Sequence, residues 1–322
     1  MSKPVLFASF RPLTRAENLN AIYTAYPGEK KHIHTYDVDF RREVLSGKYD
    51  IMVIDEFPSV TPGKCIMIWH GIQGGKYIGL DQPNRPYYRH TDARKMTHII
   101  SASEGMRSTW SRCTGVPYDD ILPLGMPRTD ELFTHTKYKQ DPDKRTYLFA
   151  PTFRDYKESA FPKIDWAYID EHLTDDECLL VKAHPWYMFQ AKINRVEEQL
   201  TGVDWKHIRI VGADLPTTPF LYDADVVITD YSSIMFDAYL LNIPVVLFEK
   251  YPGYTETRGM YLRYPDQYCS RFATTEEELL VLLRSSAGLN QVERDCRALV
   301  ASACDGHSCE RISALIDSMK GE

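Results

Sequence analysis

The sequence contains no long hydrophobic run. No stretch approaches the roughly 18–20 consecutive apolar residues of a membrane-spanning helix. Residues 1–10 carry one lysine and a short apolar run without a small-residue cleavage site, which argues against a signal peptide. We therefore expect a cytoplasmic protein whose contact with the membrane, if it has one, is peripheral and on the inner face.

The sequence also lacks paired cysteine motifs and an excess of positive charge. The 7 cysteines form no C-x-x-C pair, which favours reduced thiols over a disulfide framework or a zinc site. The 38 basic side chains are outnumbered by 45 acidic ones, giving a net charge of −7. Nucleic-acid binding generally needs a basic face and is not expected here. A local basic pocket for phosphate groups remains compatible with this charge.

Several nucleotide-binding and catalytic motifs are also missing. No G-x-G-x-x-G follows the first apolar run, so a dinucleotide-dependent redox enzyme is not expected. The segment 70–77 fails as a P-loop because His70 stands at the first glycine and Tyr77 at the magnesium-binding hydroxyl. No G-x-S-x-G elbow occurs, and no Asp-x-Asp pair directly follows an apolar run. We predict neither a metal ion nor another cofactor.

The sequence does contain a regular alternation of short apolar runs and helix-compatible segments. The runs are typical of strands buried on both faces of a parallel sheet. They cover 5–10, 50–55, 65–69, 98–102, 120–125, 146–151, 178–183, 207–211, 225–229 and 244–248. The helix-compatible segments cover 15–26, 104–113, 186–200, 232–241, 275–284 and 308–319. This alternation predicts an α/β architecture.

A polar stretch at 135–145 divides the alternation into two similar halves. We predict two doubly wound parallel-sheet (Rossmann-like) domains that face each other across a cleft. The first, 1–140, is expected on the acceptor side and the second, 141–322, on the nucleotide-donor side, with the last helix packing back on the first domain. Ligands of such sheets bind beyond the carboxyl ends of the strands, so residues that directly follow the apolar runs are the candidates.

His70 is the candidate base. It follows the run 65–69 and precedes Gly71, and a histidine at such a strand end can accept a proton from a hydroxyl near neutral pH. The alternative is a structural histidine that hydrogen-bonds to the backbone.

A second candidate group lies at the carboxyl end of the run 178–183 and just beyond it. Lys182 and His184 lie two residues apart, so on a continuing strand they share one face, where two potential cations suit a phosphate. Pro185 can rigidify the exit and open the next helix. A solvated strand end is the alternative.

A third group begins at the last residue of the run 225–229. Thr229, Asp230, Ser232 and Ser233 bring hydroxyls to the expected start of a helix, where free backbone N–H groups can bind anions. Asp237 lies one turn further and can face the same ligand or the solvent. Simple helix capping is the alternative for the whole group.

Further cations surround the predicted domain junction. Arg128 lies in the segment 125–130, and Arg154 follows Thr152 just after the run 146–151. This excess of anion-binding groups on an acidic chain predicts a ligand phosphate, and a nucleoside diphosphate compound fits a cleft between two such domains.

A basic and aromatic patch covers 85–95 and includes Arg85 and Arg89. Such a patch can contact an anionic membrane surface or a polyanionic acceptor, although an ordinary exposed loop is the alternative. With Gly71 and Lys76, these arginines are our acceptor-side candidates.

Together these segments resemble the CDP-glycerol glycerophosphotransferase family, the teichoic acid primases and polymerases with a GT-B fold. The matching segments occur in the order 69–71, 125–130, 150–154, 182–185, 225–233 with 236–237, 258–261 and 305–306. Each is weak alone, but their order and spacing are specific.

The resemblance implies transfer of glycerol phosphate from CDP-glycerol to an acceptor hydroxyl, with release of CMP. It implies that His70 is the general base, that His184 lies by the pyrophosphate, and that the serines of the third group hold phosphate oxygens. The candidate cations are our additions, and they suit a reaction in which positioning and charge stabilisation dominate. Because these side chains can replace a divalent metal, we predict metal-independent activity.

The sequence also departs from the family pattern at 72–76 and 249–252. These departures leave CDP-ribitol as an alternative donor and leave the acceptor open between a lipid-linked molecule and a wall or capsule polymer. Two other functions stay open: a UDP-sugar 2-epimerase or other GT-B glycosyltransferase, and a non-catalytic nucleotide- or polymer-binding module. The released nucleotide, CMP or UDP, distinguishes the enzymes.

Overall fold

A computed structural model describes residues 3–81, 95–134, 139–152, 163–183, 199–212, 214–250, 255 and 258–321. The chain divides into two compact units. The first unit comprises 1–135 together with 297–322, and the second comprises 136–296. The C-terminal segment therefore belongs to the N-terminal unit.

Each unit contains a six-stranded sheet in which all pairings are parallel. The strands of the first unit are β1 (Val5–Ser9), β2 (Lys30–His34), β3 (Ile51–Ile54), β4 (Lys64–Ile68), β5 (His98–Ile100) and β6 (Ile121–Leu122). Those of the second are β7 (Arg145–Phe149), β8 (Glu177–Lys182), β9 (Ile208–Val211), β10 (Val226–Thr229), β11 (Val245–Phe248) and β12 (Phe272–Ala273).

The described helices connect these strands or follow them. In chain order they are α1 (Glu17–Ala25), α2 (Phe40–Val44), α3 (Arg107–Thr114), α4 (Asp130–Thr134), α5 (Trp166–His172), α6 (Thr218–Asp223), α7 (Ile234–Leu240), α8 (Glu276–Ser285), α9 (Gln291–Ala301) and α10 (Ser308–Lys320). Within the described part of the chain, no helix is long and apolar enough to cross a membrane.

The predicted α/β class is confirmed, as is every strand expected from the apolar runs. The reason is burial: β1, β3, β10 and β11 are buried along their whole length, so their sequences are continuously apolar. The helices expected around 15–26, 104–113, 232–241, 275–284 and 308–319 are also confirmed. The helix expected at 186–200 lies almost wholly outside the described residues.

Both sheets reverse their strand order at one point. The first sheet has the order β2-β1-β3-β4-β5-β6 and reverses between β1 and β3. The second has the order β12-β11-β10-β7-β8-β9 and reverses between β7 and β10. In doubly wound sheets the crevice beyond the carboxyl ends of the strands at such a reversal is the usual ligand site. The fold therefore predicts ligand sites near residues 9–11 and 55–56 in one unit, and near 150–152 and 230–233 in the other.

Candidate functional site

His70 is exposed in the first unit, two residues beyond the end of β4. Its ring lies 4.4 Å from the ring of Trp69, measured between centroids, and Trp69 is itself buried. Gly71 is buried, and Gln73 donates a hydrogen bond from Nε2 to the carbonyl oxygen of Lys76 at 3.0 Å, which closes the following loop. The exposed His70 imidazole therefore lies on buried neighbours. This arrangement suits a side chain that exchanges protons with a ligand.

The segment 125–130 anchors the C-terminal helix of the first unit. Asp130 accepts hydrogen bonds from the backbone N–H groups of Ser308 (3.0 Å) and Cys309 (2.7 Å), the first residues of α10. Gly125 has φ +84°, and a Cβ there would lie 2.3 Å from the carbonyl oxygen of Ala303. Only glycine fits this position, so part of the segment's pattern is structural.

Arg128 lies within that segment, on a short 3-10 turn at Pro127–Thr129. Its side chain is 15% exposed, and its guanidinium lies 3.7 Å from the carboxylate of Glu17. The Arg128 guanidinium therefore lies close to a carboxylate of α1, and part of its side chain is open to solvent.

Two carboxyl groups that the sequence analysis did not select lie at the reversal of the first sheet. Asp55 is buried and accepts a hydrogen bond from the backbone N–H of Phe10 at 3.0 Å. Burial and the charge of Asp55 raise the pKa of its neighbour Glu56 to about 7, against the opposing charge of Arg11. The signal was available, because Asp55 ends the apolar run 50–55 and Glu56 directly follows it.

The raised pKa of Glu56 makes a testable prediction for stability. The folded state binds this proton more tightly than the unfolded chain, so stability falls as the pH rises from about 4.5 to about 7. Glu56→Gln keeps the neutral form and should raise the free energy of unfolding at pH 8 by about 1–3 kcal/mol, with no gain at pH 4.5. Urea unfolding at both pH values measures this. Glu29→Gln, at an exposed position of the same unit, is the control, and an equal gain in it would contradict the assignment.

In the second unit, the reversal point is held together by side chains of the third candidate group. The Thr229 hydroxyl donates to the carbonyl oxygen of Ala150 at 2.7 Å, which connects the ends of β10 and β7. Asp230 accepts from the backbone N–H groups of Thr152 (2.8 Å) and Tyr231 (2.6 Å) through the same oxygen, Oδ1. Thr152, Thr229 and Asp230 are all buried. These contacts fix the backbone at the reversal point, where doubly wound sheets have their ligand crevice.

The two serines lie at the surface of this arrangement. Ser233 is exposed and Ser232 is half-buried, and both precede α7, a helix of 7 residues. Asp237 is buried within α7, so the alternative that it points to solvent is wrong. Lys182 ends β8 and is 2% exposed. Val181 of β8 pairs with Phe149, the last residue of β7. Lys182 therefore lies level with Ala150, the residue that follows β7.

Five candidates lie outside the described residues: Arg85, Arg89, Arg154, His184 and Pro185. Asn18 was not selected from the sequence, although its side chain contacts the backbone of both Trp69 and Arg128. Nothing in its local pattern marks it, since it is one of two asparagines in an ordinary amphipathic helix. In the described ranges, no group of three or more His, Cys, Asp or Glu residues could hold a metal ion.

The sequence of the chain matches one known family. The sequence model described as CDP-Glycerol:Poly(glycerophosphate) glycerophosphotransferase matches residues 49–318. The teichoic acid poly(ribitol-phosphate) polymerase of Bacillus spizizenii is 29% identical over 260 residues, which are 73% of this chain and 41% of that protein. The teichoic acid glycerol-phosphate primase of the same organism is 28% identical over 221 residues, 63% of this chain and 55% of the primase. The chain thus spans about half the length of these relatives.

Solved structures agree on the fold. A variant of the wall teichoic acid polymerase TagF, studied with CDPG, superposes with a TM-score of 0.76 at 19% identity, covering 99% of this chain and 89% of that one. This likeness shows a two-domain fold of the GT-B class. The match to the sequence model covers most of the chain and includes the segments that carry His70, Arg128, Lys182 and Ser232. The chain therefore belongs to the CDP-glycerol:poly(glycerophosphate) glycerophosphotransferase family.

Proposed function

We propose that the protein transfers a polyol phosphate from a CDP-activated donor to an acceptor hydroxyl and releases CMP, in the synthesis of a teichoic-acid-like or capsule polymer. The observation that carries this proposal is the crevice at the reversal of the second sheet, in a chain that belongs to this family. There the ends of β7 and β10 are bonded together, and hydroxyl groups precede α7. Such a crevice is where doubly wound sheets bind nucleotides.

The proposed reaction forms one phosphorus–oxygen bond and breaks another. The acceptor oxygen attacks the donor's β-phosphorus while its proton passes to His70. The bond between the β-phosphorus and the bridging oxygen breaks, and CMP leaves with that oxygen. In such transfers the protein contributes chiefly positioning and charge stabilisation.

The remaining candidates receive roles in donor binding. Ser232 and Ser233 would hold phosphate oxygens, and Arg128 and Lys182 would neutralise phosphate charge. His184, which lies outside the described residues, would stabilise the leaving group. Lys182 is buried at the end of β8, where a donor phosphate would add a favourable charge interaction.

The donor's polyol is glycerol or ribitol. Support for glycerol comes from the family description and from the TagF structure with CDPG, and support for ribitol comes from the poly(ribitol-phosphate) polymerase. We propose a lipid-linked or polymeric acceptor. Arg85 and Arg89 would contact this acceptor or an anionic membrane surface.

Nucleotide release tests the reaction class. The purified protein is incubated separately with CDP-glycerol, CDP-ribitol and UDP-GlcNAc, each with a lipid-linked glycerol-phosphate acceptor extract, and the nucleotide products are separated. CMP from one CDP-polyol supports the proposal and names the donor. UDP release, or epimerisation of UDP-GlcNAc, would replace it with the UDP-sugar alternative.

Metal removal makes a second prediction. Because protein cations are assigned to the phosphate charge, we expect EDTA to leave the rate of CMP release within about twofold of the untreated rate. The comparison uses the same protein with EDTA alone and with EDTA plus excess Mg²⁺. Complete loss that Mg²⁺ restores would contradict metal-independent transfer.

A further inference from the structure

Asn18 occupies an unusual position for an amide side chain. It is the second residue of α1, in the first unit, and is only 1% exposed. Asparagine is a poor helix former compared with alanine, and mutational data put the cost of burying a polar group without hydrogen bonds at about 1–3 kcal/mol. Its presence there therefore calls for specific partners.

Both ends of the Asn18 amide have a partner on the backbone. Nδ2 donates to the carbonyl oxygen of Trp69 at 2.8 Å, and Oδ1 accepts from the backbone N–H of Arg128 at 3.0 Å. Trp69 directly precedes His70, after β4, and Arg128 follows β6. One side chain therefore connects two loops that β5 separates within the sheet.

We propose that Asn18 is a positioning residue that holds the His70 loop and the Arg128 loop in one fixed arrangement. The inference rests on the proposed function in that it uses the roles assigned to His70 and Arg128. The Trp69 carbonyl oxygen accepts and the Arg128 N–H donates, and in this structure each of them bonds to the Asn18 amide. An amide meets both needs, with one donor end and one acceptor end.

The same helix also holds the Arg128 side chain. Glu17, adjacent to Asn18, places its carboxylate 3.7 Å from the guanidinium. Two consecutive residues of α1 therefore fix the backbone and the side chain of one proposed phosphate ligand. A displacement of either loop by about 1 Å can reduce a rate by about 100-fold.

Two substitutions separate the two hydrogen bonds. Asn18→Ala removes both, and should lower kcat for CMP release about 10–100-fold and raise the KM for the donor. Asn18→Asp keeps an acceptor for the Arg128 N–H but cannot donate to Trp69, so it should lower kcat with little change in KM. Asn20→Ala and Asn20→Asp are the controls, because Asn20 is an asparagine of the same helix that is not fully buried.

A double-mutant cycle with His70→Ala tests whether Asn18 acts through His70. The kcat loss from Asn18→Ala should disappear in the His70→Ala background, whereas the increase in donor KM should persist. An equal kcat loss in both backgrounds would overturn the inference and leave a purely structural role.

A spectroscopic measurement keeps the inference separate from the proposed function. In protein labelled at its 10 histidines, the His70 ring signals are assigned by their absence in His70→Ala. Asn18→Asp should shift these signals, and Asn20→Asp should leave them in place. A protein that releases no CMP but shows this shift would refute the proposed function and retain the positioning role. Unmoved His70 signals would refute the positioning role whatever the activity.

Discussion

Replacement of His70 by alanine is expected to lower the rate of CMP release about 10²–10⁴-fold, the usual contribution of a general base. The imidazole is exposed beyond the end of β4 on a buried support, so its loss removes the proton acceptor without disturbing the core. Donor binding should be nearly unchanged, because the base acts on the acceptor hydroxyl. Initial rates at saturating donor and calorimetric titration with the CDP-polyol measure the two quantities.

The matched control is His307→Ala in the same unit. His307 has a side chain that is 67% exposed and directly precedes α10, and it is not one of the candidate site residues. Its replacement should leave rate and binding unchanged. If His70→Ala retains more than about a tenth of the wild-type rate, the general-base role is refuted.

Replacement of Asp230 is expected to have the largest effect on the second unit. Its Oδ1 accepts two backbone hydrogen bonds in a buried position, and bonds to a charged acceptor are worth about 1.5–3 kcal/mol each. Asp230→Ala should therefore lower the free energy of unfolding by about 2–4 kcal/mol and weaken donor binding at least about 10-fold, because the backbone of the crevice moves.

Asp230→Asn is the matched variant for this prediction. Asparagine keeps an oxygen at the position of Oδ1 but removes the charge, so the loss of stability should be about 1–2 kcal/mol and donor binding should largely survive. Urea unfolding and calorimetry give both quantities. Equal damage from the two substitutions would show that charge, and not the acceptor geometry, maintains the crevice.

The sequence predicted the buried strands well because burial on both faces leaves a continuous apolar run. It missed β2, which lies at the edge of its sheet and has Ile33 as its one fully buried residue. It also missed α9, where the buried face includes the charged Glu293 beside Cys296 and Val300. β2 is held by its pairing with β1 more than by its own pattern.

The residues of the candidate site also differ in how well local sequence identifies them. His70 and Ser233 were selected because they follow apolar runs, and both are exposed where a ligand can reach them. Thr229 and Asp230 were selected on the same grounds, and the structure shows buried side chains bonded to the backbone. Asn18 was not selected because its partners are 51 and 110 residues away along the chain, and such contacts leave no local sequence pattern.

The central claim is phosphoryl transfer with CMP as the leaving group, and mass balance tests it most directly. A lipid-linked glycerol-phosphate acceptor is incubated with the CDP-polyol and the protein, and CMP and acceptor mass are measured in the same sample. The proposal predicts one polyol phosphate added to the acceptor for each CMP released. CMP release with no gain in acceptor mass, or a gain in acceptor mass with CDP as the product, would contradict it.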